Sequence, residues 1–466
     1  MRWTMTERPV AAPGVGAPSP SPTATAALRR EVFRLAWPAI LEMCLHMAVW
    51  MFDVAMIGRL GAVPLSATAV AGQVYWGLMF LLGGIGVAVT AIVSRRVGEG
   101  DRVGASAAAG QGVVLAVAAG LAMGLAIWAA APGVFRLTRL GPEVSALGVD
   151  YMRVICRGAP FLVTGMVLSG VLRAHGDTRT PMLLAAFVNG LNVLGDYALI
   201  FGNFGLPALG VRGAALASFG AHAIGSCLFV GLLFAGRLRA RLRPGDVLRL
   251  DWAVIRSILR LAAPASMENF LTDMARTVGV FAVATLGPVS MAAYEVTATT
   301  EALSFMPGFG FAVATTVLVG QSLGAGDPGR ARAVVTQAGW IAAVFMGSLG
   351  VVFFLFPRPL VSIFTNDPAI IEVASRCLRV TAFAQPFMAL QGVLSGALRG
   401  AGDTRSPMIV AGVTSWGCRV LLTYVAVLAL GLPLEWVWGV MALDFGLKMF
   451  WLLAVYRRGW WQEIRV

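Results

Sequence analysis

Two short runs of polar residues interrupt an otherwise apolar chain. Glu42, His46 and Asp53 fall within about 40° of one another on a helix of 3.6 residues per turn, with Trp50 beside them. Asn189, Asn192 and Asp196 are spaced three and four apart, again on one helical face. Carboxylate and amide oxygens brought together in this way bind a proton or a hard cation such as Na⁺. The second half offers nothing so continuous, so the ion site is expected in the first half. In the second half, Asp273 and Arg276 are three apart and are expected to neutralise each other, while Glu295 and Glu301 are candidates to line a cavity for an organic cation. His46 is a candidate relay; His175 and His222 are read as structural. Three scattered histidines without fitting cysteines or carboxylates do not make a zinc site. No GxSxG or HExxH motif occurs, so an enzyme is not expected.

These residues need a scaffold, and the composition says which. Hydrophobic residues make up 58% of the 466 and charged residues 13%, against roughly 25% charged in a soluble domain. Apolar stretches long enough to cross a bilayer recur about twelve times. They lie near 33–58, 65–94, 104–131, 147–172, 180–203, 211–236, 255–286, 290–320, 331–356, 369–398, 407–430 and 436–456. The 55 glycines, mixed with Ala and Ser, suit close helix contact in lipid. The chain is read as an all-α polytopic membrane protein. Its five cysteines behave as small hydrophobes, and no cofactor is expected beyond H⁺ or Na⁺ as coupling ion.

The net charge of +13 is distributed unevenly. Arginines cluster in alternate loops: Arg29, Arg30 and Arg34; Arg95, Arg96 and Arg102; Arg173 and Arg179; Arg237 through Arg249. Further clusters are Arg330 and Arg332, Arg399 and Arg405, and Arg457 and Arg458. By the positive-inside rule these loops and both termini are cytoplasmic, so the charge sets topology and no nucleic-acid partner is expected. Residues 1–28, rich in Pro, Ala, Ser and Thr, are read as a disordered cytoplasmic tail without a signal-peptide core.

Sliding the chain by 226 residues aligns it with itself without a gap. "RLAWPA" (34–39) meets "RLAAPA" (260–265), Glu42 meets Glu268, and "RAHGDTRTPM" (173–182) meets "RGAGDTRSPM" (399–408). Two homologous six-helix bundles follow, 29–245 and 246–466. Six is even, so the repeats are parallel, an arrangement of secondary transporters that rock two bundles about a mid-membrane site. The ten-residue stretch is read as a structural cytoplasmic turn: Gly and Asp suit the turn, Pro opens the next helix.

Both "GDTR(T/S)PM" turns follow "LSGxLR" residues; with "DVAMIGRLG" (53–61) and "GVRGAALAS" (210–218), the chain resembles the multidrug and toxic compound extrusion (MATE) family over about residues 30–456. The resemblance implies a twelve-helix antiporter that expels organic, often cationic compounds against inward H⁺ or Na⁺. Within the family it is similar to the branch named for the DNA-damage-inducible protein F (DinF). That branch carries a first-helix Asp fifteen residues after a proline, here Asp53 and Pro38, an Asn-x-x-x-Asp pair, here Asn192 and Asp196, and a sixth-helix hydroxyl, here Ser218. The other bacterial branch uses acids in helices seven and ten; at the tenth-helix position this chain has Met388, and Asp273 lies about one residue off the seventh. The implied ion-coupling set is therefore Asp53, Asn189, Asn192, Asp196 and Ser218, with Pro38 as a helix-one hinge. Glu42, His46, Trp50, Asp273, Arg276, Glu295 and Glu301 are candidates for relay or cavity. Expected partners are small organic substrates and the bilayer, with the chain functional as a monomer in a bacterial inner membrane. The alternative is a flippase for lipid-linked oligosaccharide or peptidoglycan precursors, a related architecture in which several cations would line the cavity.

Overall fold

The computed structural model describes residues 22–138, 140–236, 240 and 242–464. Twelve long helices run through it: α1 Pro22–Gly58, α2 Ala62–Gly98, α3 Arg102–Thr138, α4 Pro142–Ala174, α5 Arg179–Phe201 and α6 Val211–Phe234 in the first half. The second half has α7 Trp252–Ala284, α8 Pro288–Gly324, α9 Pro328–Leu355, α10 Pro368–Gly400, α11 Arg405–Ala429 and α12 Leu434–Arg457. Ten are long and apolar enough to cross a membrane. The other two, α7 and α10, carry more charge, with Arg256, Arg260, Glu268, Asp273 and Arg276 on α7 alone. The protein is thus an all-α multi-pass membrane protein. One boundary moves: α1 is already helical at Pro22, so residues 22–28 belong to it and not to the tail. Residues 1–21 of that tail, and Arg237, Arg239 and Arg241, lie outside the described residues.

The repeated charged turns are built alike. Gly176 (φ 78°) and Gly402 (φ 93°) occupy the left-handed region that favours glycine. Asp177 Oδ1 accepts the Thr180 N–H at 3.0 Å, and Asp403 Oδ1 accepts the Ser406 N–H at 2.9 Å. Each carboxylate thereby caps the helix that follows, satisfying an N–H that has no partner within the helix. Between the halves, Gln111 on α3 donates to the carbonyls of Asp246 and Arg249, both at 2.8 Å, and so pins the connection that contains the 245/246 division.

The two bundles exchange material at their arginine-rich end. Val32, Leu35 and Ala36 of α1 are buried in the core of the second bundle, and Ile258, Leu261 and Ala262 of α7 in that of the first. Glycines set the spacing there. A Cβ on Gly84 (α2) would strike Ser266 and the Ala262 carbonyl of α7; at its repeat mate Gly310 (α8) it would strike Ile40 and the Ala36 carbonyl of α1. A second mated pair lies fourteen residues further along: Gly98 rests on the Gln321 backbone of α8 and Gly324 on the Arg95 carbonyl of α2. At 1.5 Å per residue the seam closes over about 21 Å of helix. Small residues let backbones approach this closely in lipid.

Gly98→Val or Gly324→Val forces backbone against side chain at this seam, a cost of about 1–3 kcal/mol. Each is expected to lower the melting temperature of the purified protein and to slow transport. Gly231→Val, where nothing lies within 4 Å of the added Cβ, is expected to change neither.

Candidate functional site

Near their ends, α1, α5 and α6 are tied together by a small apolar cluster of Ile57, Ile200 and Ala214. That cluster brings Asp53 on α1, the Asn189–Asn192–Asp196 face of α5 and Ser218 on α6 into one place. Asn192 is the bridge. Oriented so that both ends of its amide are satisfied, it donates to Asp53 Oδ1 at 3.2 Å; its oxygen accepts from Ser218 Oγ at 3.1 Å and from the Ser218 N–H at 3.2 Å. Asp196 is fully buried and lies against Asp53. Neither Asp196 oxygen, nor Asn189 Nδ2, has a hydrogen-bond partner among the described residues.

Two adjacent carboxyls away from water cannot both stand as bare anions. One shared proton, or one small cation held by carboxylate, amide and hydroxyl oxygens, resolves the conflict. The arrangement therefore fits reversible ion binding. Tyr151 of α4 is within electrostatic reach of both carboxyls. Sequence reading missed it, because a single tyrosine in an apolar helix carries no spacing signal.

Other sequence-selected residues fall elsewhere. Glu42 shares a helical face with Asp53 but is eleven residues away, about 16 Å along the axis. It is buried with a fixed partner: Ser169 Oγ donates to Oε1 at 3.0 Å, and Arg173 Nη2 lies 3.5 Å from the same oxygen. Its repeat mate Glu268 pairs with Arg399 at 2.6 Å. Both pairs are lodged near the arginine-rich end, so Glu42 does not join the Asp53 cluster. His46 and Trp50 are exposed on α1 between the two levels. The helix runs through Pro38 without a break. Asp273 and Arg276 do pair, at 2.9 Å, while Glu295 is exposed and Glu301 half-buried on α8. A second polar cluster, Asp444 and Lys448 on α12 with Ser415 and Arg419 on α11, had not been singled out. Its signal was an Asp and a Lys four apart in an otherwise apolar helix. No group of three or more His, Cys, Asp or Glu able to hold a metal occurs among the described residues.

Twelve helices in two mated bundles, around an intramembrane carboxyl pair without a fixed counter-charge, are the build of a secondary transporter. The profile of the MatE family matches residues 38–198 and 264–425, and the chain belongs to that family. It is 33% identical to the probable multidrug resistance protein NorM of Thermotoga maritima over 439 residues, 94% of each chain. It is 28% identical to the multidrug resistance protein PmpM of Pseudomonas aeruginosa, over 85% of this chain and 83% of that protein. Its fold matches the outward-facing conformation of a multidrug resistance MATE family transporter with a TM-score of 0.86 at 23% identity, over 94% and 97% of the two chains. The chain is a MATE-type efflux transporter, not an enzyme.

Asn192→Leu removes the amide that ties Asp53 to Ser218. A hydrogen bond to a charged group is worth about 1.5–3 kcal/mol, so ion affinity should fall roughly 10- to 100-fold, seen as a shift in the ion concentration giving half-maximal transport. Ser218→Thr keeps the hydroxyl and should stay close to wild type.

Proposed function

We propose that the chain exports small organic compounds, mainly cations, in exchange for H⁺ or Na⁺ bound at Asp53 and Asp196, by rocking of its two six-helix bundles. One observation carries the reading. Of the fully buried carboxyls within the described membrane helices, Glu42, Glu268 and Asp444 each hold a fixed cation, and Asp196 holds none. A buried carboxylate left without a counter-charge costs several kcal/mol, so in this reading its partner is one that comes and goes.

In this reading an ion arrives from the arginine-poor side and neutralises the Asp53–Asp196 pair. Helix α1 then bends at Pro38, whose missing N–H leaves the helix one hydrogen bond short. The bend reshapes the first bundle and drives substrate out; loss of the ion toward the arginine-rich side resets it. The glycine seam is the contact that opens and closes between bundles. Glu295 and Glu301 on α8 are carboxylates that would favour lipophilic cations, and soft or aromatic Met, Phe and Trp side chains suit promiscuous binding. The Pro38–Asp53 interval, the Asn192/Asp196/Ser218 set and Met388 support the DinF-like branch. The arginine-rich loops support cytoplasmic termini in a bacterial inner membrane, and the site's completeness within one chain supports a working monomer.

Asp53→Asn keeps shape and removes the exchangeable charge. It is expected to abolish gradient-driven ethidium efflux from proteoliposomes while substrate binding persists; wild-type pumping would move the coupling site elsewhere, with Asp273 and Glu295 next to test. Cells expressing the protein should accumulate less ethidium-like dye, whereas a role only in cell-wall assembly would favour the flippase. Cysteine labelling should place both termini and the 237–249 loop in the cytoplasm, and external labelling of that loop would reverse the orientation.

A further inference from the structure

The second bundle contains the repeat mate of the ion site, rebuilt around fixed charge. The 226-residue offset carries Ser218 to Asp444, His222 to Lys448 and Asn189 to Ser415. It carries Asp53 to Gly279 and Asp196 to Leu422, so both exchanging carboxyls are absent. In their place stands a charged cluster at the same register of the fold. Asp444 and Lys448, one turn apart on α12, are 0% and 3% exposed. Lys448 Nζ donates to Asp444 Oδ2 at 2.7 Å and to Ser415 Oγ at 2.9 Å. Arg419 Nε lies 3.9 Å from the same Asp444 oxygen. It is carried on Ser415–Val420, where α11 widens into π-helical turns, a local distortion that recurs at functional sites. Asp444 Oδ1 has no hydrogen-bond partner among the described residues.

The charge count decides what this pocket can do. The first-bundle cluster presents two carboxyls and no cation; the second presents one carboxylate held between two cations, with Glu301 in electrostatic reach of Arg419 and Glu268 of Lys448. An incoming H⁺ or Na⁺ would have to displace an ammonium already 2.7 Å from the Asp444 oxygen, with the Arg419 guanidinium 3.9 Å from the same oxygen. The ammonium of Lys448 is covalently tethered, so it cannot leave to make room.

We propose that Lys448 is a tethered counter-ion that permanently takes, in the second bundle, the place the coupling ion takes in the first, so that only one bundle exchanges ions. The inference rests on the reading that Asp53 and Asp196 hold the coupling ion. It explains why a twofold-repeated chain is driven through one side: the mate of the site is filled by the protein itself. Lys448 is in this sense a positioning residue, setting how many ions move per cycle without touching substrate.

The test is the ion-to-substrate stoichiometry in proteoliposomes, read as the slope of the logarithm of the steady-state ethidium gradient against the logarithm of an imposed pH or sodium gradient. The paired variant Asp444→Asn/Lys448→Met removes both charges together, and replacing a buried ion pair by neutral groups is often tolerated. It should keep the wild-type slope and pump within about threefold of the wild-type rate. Arg419→Leu/Lys448→Met frees Asp444 from both cations and should raise the slope by one ion per substrate. A paired variant that is monodisperse and binds ethidium but has lost gradient-driven pumping, or shows a lower slope, overturns the proposal, because Asp444 would then carry ions. So does an unchanged slope in a folded Arg419→Leu/Lys448→Met; should that variant not fold, the paired variant decides alone. Asp53→Asn measured alongside separates the two claims: if it pumps like wild type, the first-bundle reading fails whatever the second bundle does.

Discussion

A carboxylate inside a bilayer needs a counter-charge, and the organisation of this protein follows from how each one finds it. Water is not there to solvate it, and the cost of several kcal/mol is large against the net stability of a fold. Glu42 and Glu268 are answered by Arg173 and Arg399, the last charged residues before the repeated turns. Asp444 is answered by Lys448 one helical turn away. Asp196, pressed against Asp53, meets no counter-charge among the described residues. In the proposed cycle an ion that enters stabilises this carboxyl pair, and its coming and going is what couples the gradient to transport.

The rest of the fold offers a route by which ion binding at that pair would move the two bundles. The bundles are joined where α1 (Val32 to Ala36) and α7 (Ile258 to Ala262) each lend residues to the opposite core, and the mated glycines of α2 and α8 let the backbones there approach without side chains in the way. In the proposed cycle the ion site and the joint lie toward opposite ends of α1, with Pro38 inside the joint, between Ala36 and Ile40. A change at one end therefore reaches the other along a single helix whose hydrogen-bond ladder is interrupted on the way. Closure by backbone contact rather than by long side chains also means the joint has few intermediate settings, which suits alternation between two states.

Much of this was legible in the sequence. The 226-residue offset and the apolar stretches specify twelve helices in two bundles, because hydropathy and repetition are averaged over many residues. The three-four spacing of Asn189, Asn192 and Asp196 likewise predicts one face, and the structure keeps it. Glu42 shows the limit: helical periodicity reports the angle of a residue and says nothing of its depth or of a partner such as Arg173, more than a hundred positions away. The start of α1 was placed late because the Pro- and Ala-rich segment before Arg29 has the composition of a tail, while packing of its following residues on the second bundle extends the helix back. Asp444 and Lys448, one turn apart, read in the sequence as no more than a self-neutralised pair like Asp273 and Arg276; spacing along one helix does not show that Ser415 and Arg419 of α11 join them.

In the proposed cycle Asp53 and Asp196 together hold one exchangeable ion. Difference infrared spectra of the reconstituted protein, recorded between acidic and alkaline buffer with and without sodium, address it directly. The account predicts a protonated-carboxyl band, or a sodium-dependent carboxylate band, that disappears when either Asp53 or Asp196 is replaced by Asn. Carboxyl bands that respond to pH and sodium in the same way in wild type and in both variants would contradict it.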